Sequence, residues 1–287
     1  MNKSNTLGSL YKCLSNELTF AEIDKPHLEA RMLLAYAAGV NQTRVIGYPE
    51  DKLDNATVGY LKKIVARRKN GEPIAYITGS KEFWSLNFNV NQETLIPRPD
   101  SETIIESVLG TITDFTDSLS ILDLGTGSGC LLLALLSELP NAKGVGIDIS
   151  SSACEIAKSN AKELGLGNRA EFYQGNWMEG ICNQFDIIIT NPPYIAEADI
   201  KFLNKEVRFF EPHLALSGGP DGLSAYRLIV KESTTRLKSA GILAVEIGIN
   251  QVQSISNLFV KNGLRIIKIQ RDFSNIERCI LATVGHR

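Results

Sequence analysis

The feature that most constrains the fold is a change of pattern near residue 119. From there onwards, short apolar runs alternate with stretches of helical periodicity, such as 153–164 and 226–237. Strands that alternate with helices predict crossover connections and a mainly parallel sheet with helices on both faces, an α/β fold. The apolar runs that we predict to be its strands are 120–124, 144–149, 170–174, 185–190 and 242–247.

The end of the chain follows a different pattern. Two further apolar runs, 264–269 and 278–284, follow each other with no helical stretch between them. Parallel neighbours need a long crossover connection, so two strands this close along the chain are expected to be antiparallel.

The residues before this region are predicted to be helical. Pro26 suits the first turn of a helix and Gly39 suits its end, and a second helical stretch covers 55–69. Apolar and polar residues then alternate over 84–90, which indicates a strand or a short hairpin. The predicted organisation is therefore a helical domain over 1–78, a linker with a short β-hairpin over 79–99, and the sheet domain over 100–287.

A helix is also expected to begin at the start of the sheet domain. Pro97 and Pro99 mark a rigid turn, and Asp100 and Ser101 follow it. Asp and Ser are good N-cap residues because their side-chain oxygens accept hydrogen bonds from free N–H groups of the first helical turn.

The charge balance argues against a broad nucleic-acid-binding surface. The 287 residues include 30 Lys and Arg and 32 Asp and Glu, which gives a net charge of −2 at pH 7. Proteins that grip nucleic acid through its phosphates present basic surfaces. The run Arg67-Arg68-Lys69 is one candidate patch, and the solvated end of a helix is the interpretation we prefer for it.

The cysteine and histidine patterns indicate neither disulfides nor a metal site. Five cysteines are scattered without a C-x-x-C pair, and His27, His213 and His286 lie far apart. No apolar run has membrane-spanning length, and the first residues lack the pattern of a secretory signal. We therefore expect a soluble, cytoplasmic protein that is not associated with a membrane.

A glycine-rich turn follows the first predicted strand of the sheet. Gly125, Gly127 and Gly129 alternate with Thr126 and Ser128 ahead of an apolar helix. Glycines let the backbone approach a ligand closely, and the start of a helix offers free N–H groups. The spacing is G-x-G-x-G, so the G-x-G-x-x-G dinucleotide fingerprint is not met.

An acidic residue closes the second predicted strand. Asp148 follows Gly146 and Ile147, and a carboxylate at this position can accept hydrogen bonds from the hydroxyls of a ribose. Nicotinamide cofactors and S-adenosylmethionine both contain such a ribose, and the glycine spacing favours S-adenosylmethionine. The alternative is a tight structural turn with an incidental Asp.

The fourth predicted strand ends in the second chemical motif, Asn191-Pro192-Pro193-Tyr194. Two prolines fix the backbone of this loop. The carbonyl groups of the Asn191 side chain and the Pro192 backbone can accept hydrogen bonds from the N–H groups of an amide or aromatic amine. Two such acceptors orient the nitrogen lone pair towards an electrophile and stabilise the positive charge that develops on it. An ordinary Asn-Pro turn is the alternative.

These motifs and several others resemble the class I methyltransferases and, within them, the PrmC/HemK family of glutamine N5-methyltransferases. The resemblance covers nearly the whole chain. Besides the glycine loop and residues 191–194, it rests on Gly-Glu-Pro-Ile-Ala-Tyr-Ile at 71–77, Glu-Phe-Trp at 82–84, Leu-Ile-Pro-Arg-Pro-Asp-Ser-Glu at 95–102, Val-Arg at 207–208, Glu-Pro at 211–212 and Gly-Gly-Pro-Asp-Gly-Leu at 218–223.

The resemblance implies a fold, an activity and a partner. The fold would be a Rossmann-like class I methyltransferase sheet of seven strands, the last antiparallel, with a small helical N-terminal domain that helps to hold the protein substrate. The activity would be methylation of the glutamine in the Gly-Gly-Gln motif of bacterial peptide chain release factors. S-Adenosyl-L-methionine would be the cofactor, S-adenosyl-L-homocysteine the product, and the enzyme a monomer without direct nucleic-acid contacts.

The resemblance also assigns residues. Asn191, Pro192 and Tyr194 would be catalytic and, with Pro193, would bind the glutamine. Trp177 would lie beside the adenine, or else be a core tryptophan. Arg98 and the segment 208–211 would shape the pocket or dock the partner, or else form a structural salt bridge. The cofactor-binding set would be Gly125, Thr126, Gly127, Ser128, Gly129, Asp148, Trp177 and Asn191.

Four other functions are weighed against this one. Loops of the same type occur in amino-methyltransferases that act on adenine, cytosine or guanine, but these enzymes usually need a basic cleft or a base-reading domain. Methylation of a glutamine in a ribosomal protein is a close alternative that shares the chemistry. A binding-only role for S-adenosylmethionine is disfavoured because both loops are intact, and hydride transfer is disfavoured by the glycine spacing.

Overall fold

The computed structural model describes residues 5–285, which form two compact units. The first unit comprises the described residues up to Gly79 together with Lys205–Phe210, and the second comprises Ser80–Asn204 with the described residues from Glu211 onwards. No helix in the described range is long and apolar enough to cross a membrane.

The first unit is helical. Pro26 occupies the first turn of the second helix, and Gly39 ends that helix in the left-handed conformation with φ 64°. Thr6, Asn41 and Asp54 cap three other helices through side-chain oxygens. The helices are α1 (Leu7–Phe20), α2 (Pro26–Ala38), α3 (Gln42–Gly47), α4 (Asn55–Lys69) and α5 (Ile74–Thr78).

Arg68 is a buried centre of charge in this unit, not part of a solvated helix end. Its side chain is 3% exposed and forms ion pairs with Glu29 and Glu206, and it donates to the carbonyl oxygen of Glu72 at 3.2 Å. The preference for a solvated run over 67–69 was therefore wrong for Arg68. Burial of an arginine requires partners for its charge and its five N–H groups, and two of these partners are distant in sequence.

The second unit begins with a hairpin and then forms the large sheet. Strands β1 (Ser80–Phe83) and β2 (Leu86–Asn89) pair antiparallel. Within the described residues, the large sheet has seven strands in the order β5-β4-β3-β6-β7-β9-β8. Its strands are β3 (Ser120–Leu124), β4 (Lys143–Asp148), β5 (Ala170–Gln174), β6 (Phe185–Thr190), β7 (Leu237–Glu246), β8 (Leu264–Arg271) and β9 (Glu277–Val284).

The direction of the strands confirms the predicted fold class. Strands β3 to β7 pair with one another in parallel, whereas β9 is antiparallel to both β7 and β8. Consecutive residues of β3 belong to two different apolar clusters, with Ile121 in one and Leu122 in the other. Both faces of the sheet are therefore buried, which explains why its central strands are continuous apolar runs.

Helices lie between these strands along the chain, and one of them belongs to the first unit. They are α6 (Glu102–Leu109), α7 (Cys130–Glu138), α8 (Ser151–Glu163), α9 (Lys205–Phe210), α10 (His213–Leu216), α11 (Ser224–Arg236) and α12 (Val252–Lys261). Of these, α9 lies in the first unit.

The expected helix start is confirmed, because α6 begins at Glu102 with Ser101 at its N-cap position, but the expected side-chain cap is wrong. A 3₁₀ turn at Pro99–Ser101 precedes α6, and Ser101 makes no side-chain cap hydrogen bond. Its hydroxyl instead accepts from Nδ2 of Asn191 at 3.1 Å, and Asp100 pairs with Arg278 at 3.1 Å. Contacts to residues distant in sequence have replaced the local cap.

Candidate active site

The glycine loop connects β3 to α7 and leaves room above the sheet. Gly125, Gly127 and Gly129 have φ values of 69°, 54° and 80°, in the region where an L side chain is strained. The N–H groups of Gly125 and Thr126 both donate to the carbonyl oxygen of Ile147, at 2.8 and 3.0 Å. No atom lies within 4 Å of a Cβ built on Gly127, so this residue faces open space.

Asp148 lies at the end of β4 and is tied to the glycine loop. Its Oδ2 accepts from the N–H of Gly127 at 2.8 Å, and its Oδ1 accepts from the N–H of Ser150 at 2.9 Å. Each carboxylate oxygen can accept a second hydrogen bond. The half-buried side chain therefore keeps acceptor capacity for ligand hydroxyls.

Trp177 packs against the same loop. Its backbone has φ 52°, which is unusual for a bulky residue. A Cβ built on Gly125 would lie 3.6 Å from Cζ3 of its ring, and the half-buried side chain packs on the apolar cluster on that side of the sheet. The ring thus packs on both the core and the first glycine of the loop.

Thr126 and Ser128 have buried side chains. The hydroxyl of Thr126 donates to Oδ2 of Asp123 at 2.6 Å, and the Ser128 side chain is buried. Because both side chains are buried, these two residues can contact a ligand only through their backbone groups. Burial raises the pKa of Asp123 to about 7, against the opposing effect of the Thr126 hydrogen bond.

The acceptor loop, residues 191–194, begins beside the glycine loop. Leu124, the last residue of β3, is the register partner of Thr190, the last residue of β6. The hydroxyl of Thr190 donates to the carbonyl oxygen of Leu124 at 2.7 Å. The two sequence motifs are thus brought to the same edge of the sheet, where parallel α/β sheets bind ligands.

Within the acceptor loop, Nδ2 of Asn191 donates to the Ser101 hydroxyl at 3.1 Å. Asn191 follows Thr190, whose register partner Val245 precedes Glu246 on the neighbouring strand. Pro192 is buried, and Pro193 and Tyr194 are half-buried. Burial, followed by the charge of Glu246, raises the pKa of Tyr194 to about 12, so this hydroxyl stays protonated.

Glu246 is the residue that sequence reasoning missed. It ends β7, next to β6, and is 1% exposed. Burial raises its pKa to about 7, although Ser101, Arg278 and Asn191 favour the charged form. The signal was present in the sequence, because Glu246 is the single charged residue in the apolar run 242–247.

Residues from two later parts of the chain, Gly218 and Gln251, contact the acceptor loop and the residue that follows it. The N–H of Gly218 donates to the carbonyl oxygen of Ile195 at 2.8 Å, and a Cβ on Gly218 would lie 2.7 Å from the Pro193 carbonyl oxygen. Nε2 of Gln251 donates to the carbonyl oxygen of Tyr194 at 2.9 Å. This bracing gives a structural reason for glycine at 218 in the Gly-Gly-Pro-Asp-Gly-Leu segment.

Arg98, Arg208 and Glu211 make different contacts. Arg98 pairs with the buried carboxylate of Glu211 at 2.5 Å, and Glu211 also accepts from the N–H of Ile96 at 3.3 Å. Arg208 lies in the first unit, with its guanidinium 5.1 Å from the centre of the Phe209 ring. The Arg98–Glu211 contact has the geometry of a structural salt bridge.

Over residues 5–285, no three His, Cys, Asp or Glu side chains cluster in a way that could hold a metal ion. His286 lies outside the described residues.

The order of the sheet, with a glycine loop after its first strand and a proline-locked loop after its fourth, defines a class I S-adenosylmethionine-dependent methyltransferase. Comparison with known families agrees. Residues 115–262 match the model described as a methyltransferase domain, and residues 9–79 match the PrmC N-terminal domain.

Relatives define the family. The chain is 41% identical over 277 residues to the release factor glutamine methyltransferase of Caulobacter vibrioides, with 96% of each chain covered. It is 40% identical over 276 residues to that of Rhodospirillum rubrum, covering 96% of this chain and 84% of the relative. The chain belongs to the release factor glutamine methyltransferase family, which confirms the resemblance inferred from its motifs.

A solved structure supports the fold alone. The hMettl16 catalytic domain, solved in complex with MAT2A 3′UTR hairpin 6, superposes with a TM-score of 0.58 at 15% identity, covering 78% of this chain and 82% of the other. At this level of identity the likeness carries no information about substrate.

Proposed function

We propose that this protein transfers a methyl group from S-adenosylmethionine to the side-chain amide nitrogen, N5, of the glutamine in the Gly-Gly-Gln motif of peptide chain release factors. The activity named for the relatives supports the substrate class. The observation that carries the chemistry is the position of the Asn191 side-chain amide, which Ser101 contacts at 3.1 Å at the same edge of the sheet as the glycine loop.

The residues around the glycine loop fit the cofactor. Gly127 faces open space, Asp148 keeps acceptor capacity, and Trp177 supplies an aromatic wall. In this assignment Asp148 holds the ribose hydroxyls, Trp177 lies along the adenine, and backbone groups of 125–129 line the remainder. When bound, the cofactor supplies an electrophilic methyl group on a positively charged sulfur atom.

The acceptor loop makes the amide nitrogen a better nucleophile. An amide lone pair is conjugated with its carbonyl group, so the nitrogen attacks poorly unless it is held and polarised. Oδ1 of Asn191 and the backbone carbonyl of Pro192 accept its two N–H groups, orient the lone pair and stabilise the positive charge that develops. Tyr194 packs on the planar amide and excludes water.

The atoms balance without a metal or a separate oxidant. A bond forms between the amide nitrogen and the methyl carbon as the bond between that carbon and sulfur breaks. The electron pair of the broken bond stays on sulfur, and the product is S-adenosylhomocysteine. The nitrogen, now carrying a positive charge, releases one proton to solvent. The acceptor oxygens of Asn191 and Pro192 are the groups that favour this charge before the proton leaves.

In this assignment the substrate is a protein, the release factor. The enzyme works as a monomer. The helical first unit matches the PrmC N-terminal domain, and we assign it the role of helping to hold the release factor. A net charge of −2 favours a protein substrate over direct contact with nucleic acid.

A methyl-transfer assay tests this assignment. The purified protein is incubated with methyl-labelled S-adenosylmethionine and, in separate reactions, with a release factor, its Gly-Gly-Ala variant, duplex DNA and RNA. Label is expected on the native release factor and on none of the others. Label on nucleic acid alone would retain the fold and cofactor but overturn the substrate, and label on the Gly-Gly-Ala variant would overturn the assigned glutamine.

A further inference from the structure

We propose that Glu246 is a positioning residue that fixes the orientation of the Asn191 side-chain amide, so that its oxygen, and not its nitrogen, faces the acceptor. This inference rests on the proposed function, because it assigns a use to that oxygen.

The problem that Glu246 solves is the symmetry of an asparagine side chain. Oδ1 and Nδ2 of Asn191 have nearly the same shape, but one accepts hydrogen bonds and the other donates two. If Nδ2 of Asn191 faced the substrate, its N–H groups would point at the N–H groups of the glutamine amide, and no hydrogen bond could form. The loop therefore works only if its surroundings distinguish the two orientations.

Ser101 alone cannot make this distinction. Its hydroxyl lies 3.1 Å from Nδ2 of Asn191, but a hydroxyl can donate as well as accept. If the Asn191 amide rotated by half a turn, Ser101 could donate to Oδ1 and the pair would remain satisfied.

In its ionised form, the Glu246 carboxylate removes this ambiguity because it only accepts hydrogen bonds. Glu246 follows Val245 and Asn191 follows Thr190, and Val245 and Thr190 are register partners on neighbouring strands. Ser101 and Asn191 both act to lower the pKa of the Glu246 carboxyl, against the larger effect of burial. In the proposed arrangement these three side chains form one network. The Ser101 hydroxyl then donates to Glu246, which leaves its lone pairs for Nδ2 of Asn191, and the second proton of Nδ2 is directed to Glu246 itself. Both donors of Asn191 are thereby used, and Oδ1 remains for the substrate.

The fold holds Glu246 firmly in place for this task. Its neighbour Val245 pairs with Thr190, the residue before Asn191, and its own carbonyl oxygen accepts from the Tyr226 hydroxyl at 2.7 Å. It is 1% exposed, and its Oε2 has no hydrogen-bond partner within residues 5–285. A buried carboxylate that is only partly satisfied costs stability, which points to a role other than holding the fold together.

The first experiment compares Glu246→Gln with wild type. Glutamine keeps the shape but can offer N–H groups to either partner, so the polarity of the network is lost. We expect kcat for release-factor methylation to fall at least about tenfold, as for other oriented polar groups, while the KM for release factor and the Kd for cofactor change less than about threefold. A folded Glu246→Gln enzyme with unchanged kcat would overturn the assignment.

Two further variants separate positioning from structure. Ser101→Ala removes the second partner of Asn191, and its effect on kcat should be less than multiplicative with that of Glu246→Gln, since both act through one side chain. Ser107→Ala is the matched control, because Ser107 is a fully buried serine on α6, the helix that directly follows Ser101. It should leave kcat unchanged; a loss equal to that of Ser101→Ala would indicate general loosening of α6.

A substrate-independent measurement distinguishes failure of this inference from failure of the proposed function. The side-chain amide signals of ¹⁵N-labelled Asn191 are followed by NMR from pH 5.5 to 8.5 in the full-length protein, and the resonance is assigned with Asn191→Asp. They should shift with a midpoint near pH 7, as Glu246 ionises, and this shift should vanish in Glu246→Gln. A shift of the same size in Glu246→Gln would overturn the inference whatever the activity assay shows.

Other charged groups near Glu246 are controlled in the same experiment. Asp100 and Arg278 act on Glu246 in opposite directions, and Tyr194 has a pKa of about 12, far above the range used. Asp123 also has a pKa of about 7. In Asp123→Asn, the Asn191 amide signals should therefore still shift with pH. If the shift disappeared in this variant, it would be due to Asp123, and the role of Glu246 would be overturned.

Discussion

The hydroxyl of Thr190 donates to the carbonyl oxygen of Leu124 at 2.7 Å, and this bond joins the last residues of the two strands that carry the cofactor and acceptor loops. The distance between a methyl donor and its acceptor depends on such contacts, because small displacements of reacting groups reduce rates strongly.

Thr190→Val should weaken methyl transfer as well as stability. Valine has nearly the same shape but leaves the buried Leu124 carbonyl without this donor, which costs about 1–3 kcal/mol in unfolding free energy. We expect kcat to fall several-fold. Thr283→Val is the matched control, because the Thr283 hydroxyl donates to the Gly241 carbonyl oxygen at 2.9 Å elsewhere on the sheet. A kcat loss as large in the control as at Thr190 would contradict a special role for this bond.

Gly127→Ala should impair cofactor binding. Gly127 has φ 54°, so alanine costs about 1–2 kcal/mol in the left-handed region, and its methyl group would enter the space assigned to the cofactor. The Kd measured by titration calorimetry should rise at least about tenfold. Gly263→Ala provides the comparison, since Gly263 has φ 81° and equally open surroundings in another turn. It should lose stability but bind cofactor normally, whereas equal losses of affinity would count against the assigned loop.

Asn191→Ala should separate binding from chemistry. The variant removes one acceptor for the glutamine amide, so methyl transfer should fall by about tenfold to a hundredfold or more, while the Kd for cofactor stays within about threefold of wild type. Asn257→Ala, on the exposed surface of α12, should change neither quantity. Unchanged turnover in Asn191→Ala would show that the acceptor loop works differently.

The stability of the protein should depend on pH through Glu246. Its pKa is raised from 4.5 to about 7 by folding, so the folded state favours the protonated form. The associated stability is fully present below pH 4.5 and is lost as the pH rises towards 7. Glu246→Gln removes this dependence and should gain stability relative to wild type by up to ~3 kcal/mol between pH 5 and pH 8.

Denaturant unfolding at several pH values measures this effect. Glu106→Gln is a suitable control, because Glu106 is exposed on α6, and its stability difference from wild type should not follow the same pH dependence. If the difference between Glu246→Gln and wild type stays constant from pH 5 to pH 8, Glu246 does not ionise in this range in the folded protein.

Local pattern was sufficient for the strands and the two loops. Apolar runs bounded by turn residues predicted five strand positions to within about one residue at most ends; the exception was β7, which begins at Leu237, five residues before the predicted 242. There Lys238, Ser239 and Ala240 are exposed, so strand pairing extends beyond the apolar run. Periodicity depends on burial, and an exposed strand end gives no such signal.

The polar network around Asn191 could not be predicted in the same way. Asp100 and Ser101 have the pattern of helix caps, yet the structure uses them in contacts with Arg278 and Asn191. Similarly, Arg68 looks like part of a solvated helix end but pairs with Glu206, 138 residues away. Pairings between residues distant in sequence leave no trace in local spacing, although a single Glu in an apolar run was a usable indication.

The most direct test of the account locates the methyl group on the product. Release factor treated with the enzyme and S-adenosylmethionine is digested and analysed by tandem mass spectrometry. We expect one added methyl group, placed by fragmentation on the side chain of the glutamine in the Gly-Gly-Gln motif, and at least about tenfold less of this product with the Asn191→Ala enzyme early in the reaction. A methyl group on any other residue, or an unmodified glutamine after full reaction with active wild-type enzyme, would contradict it.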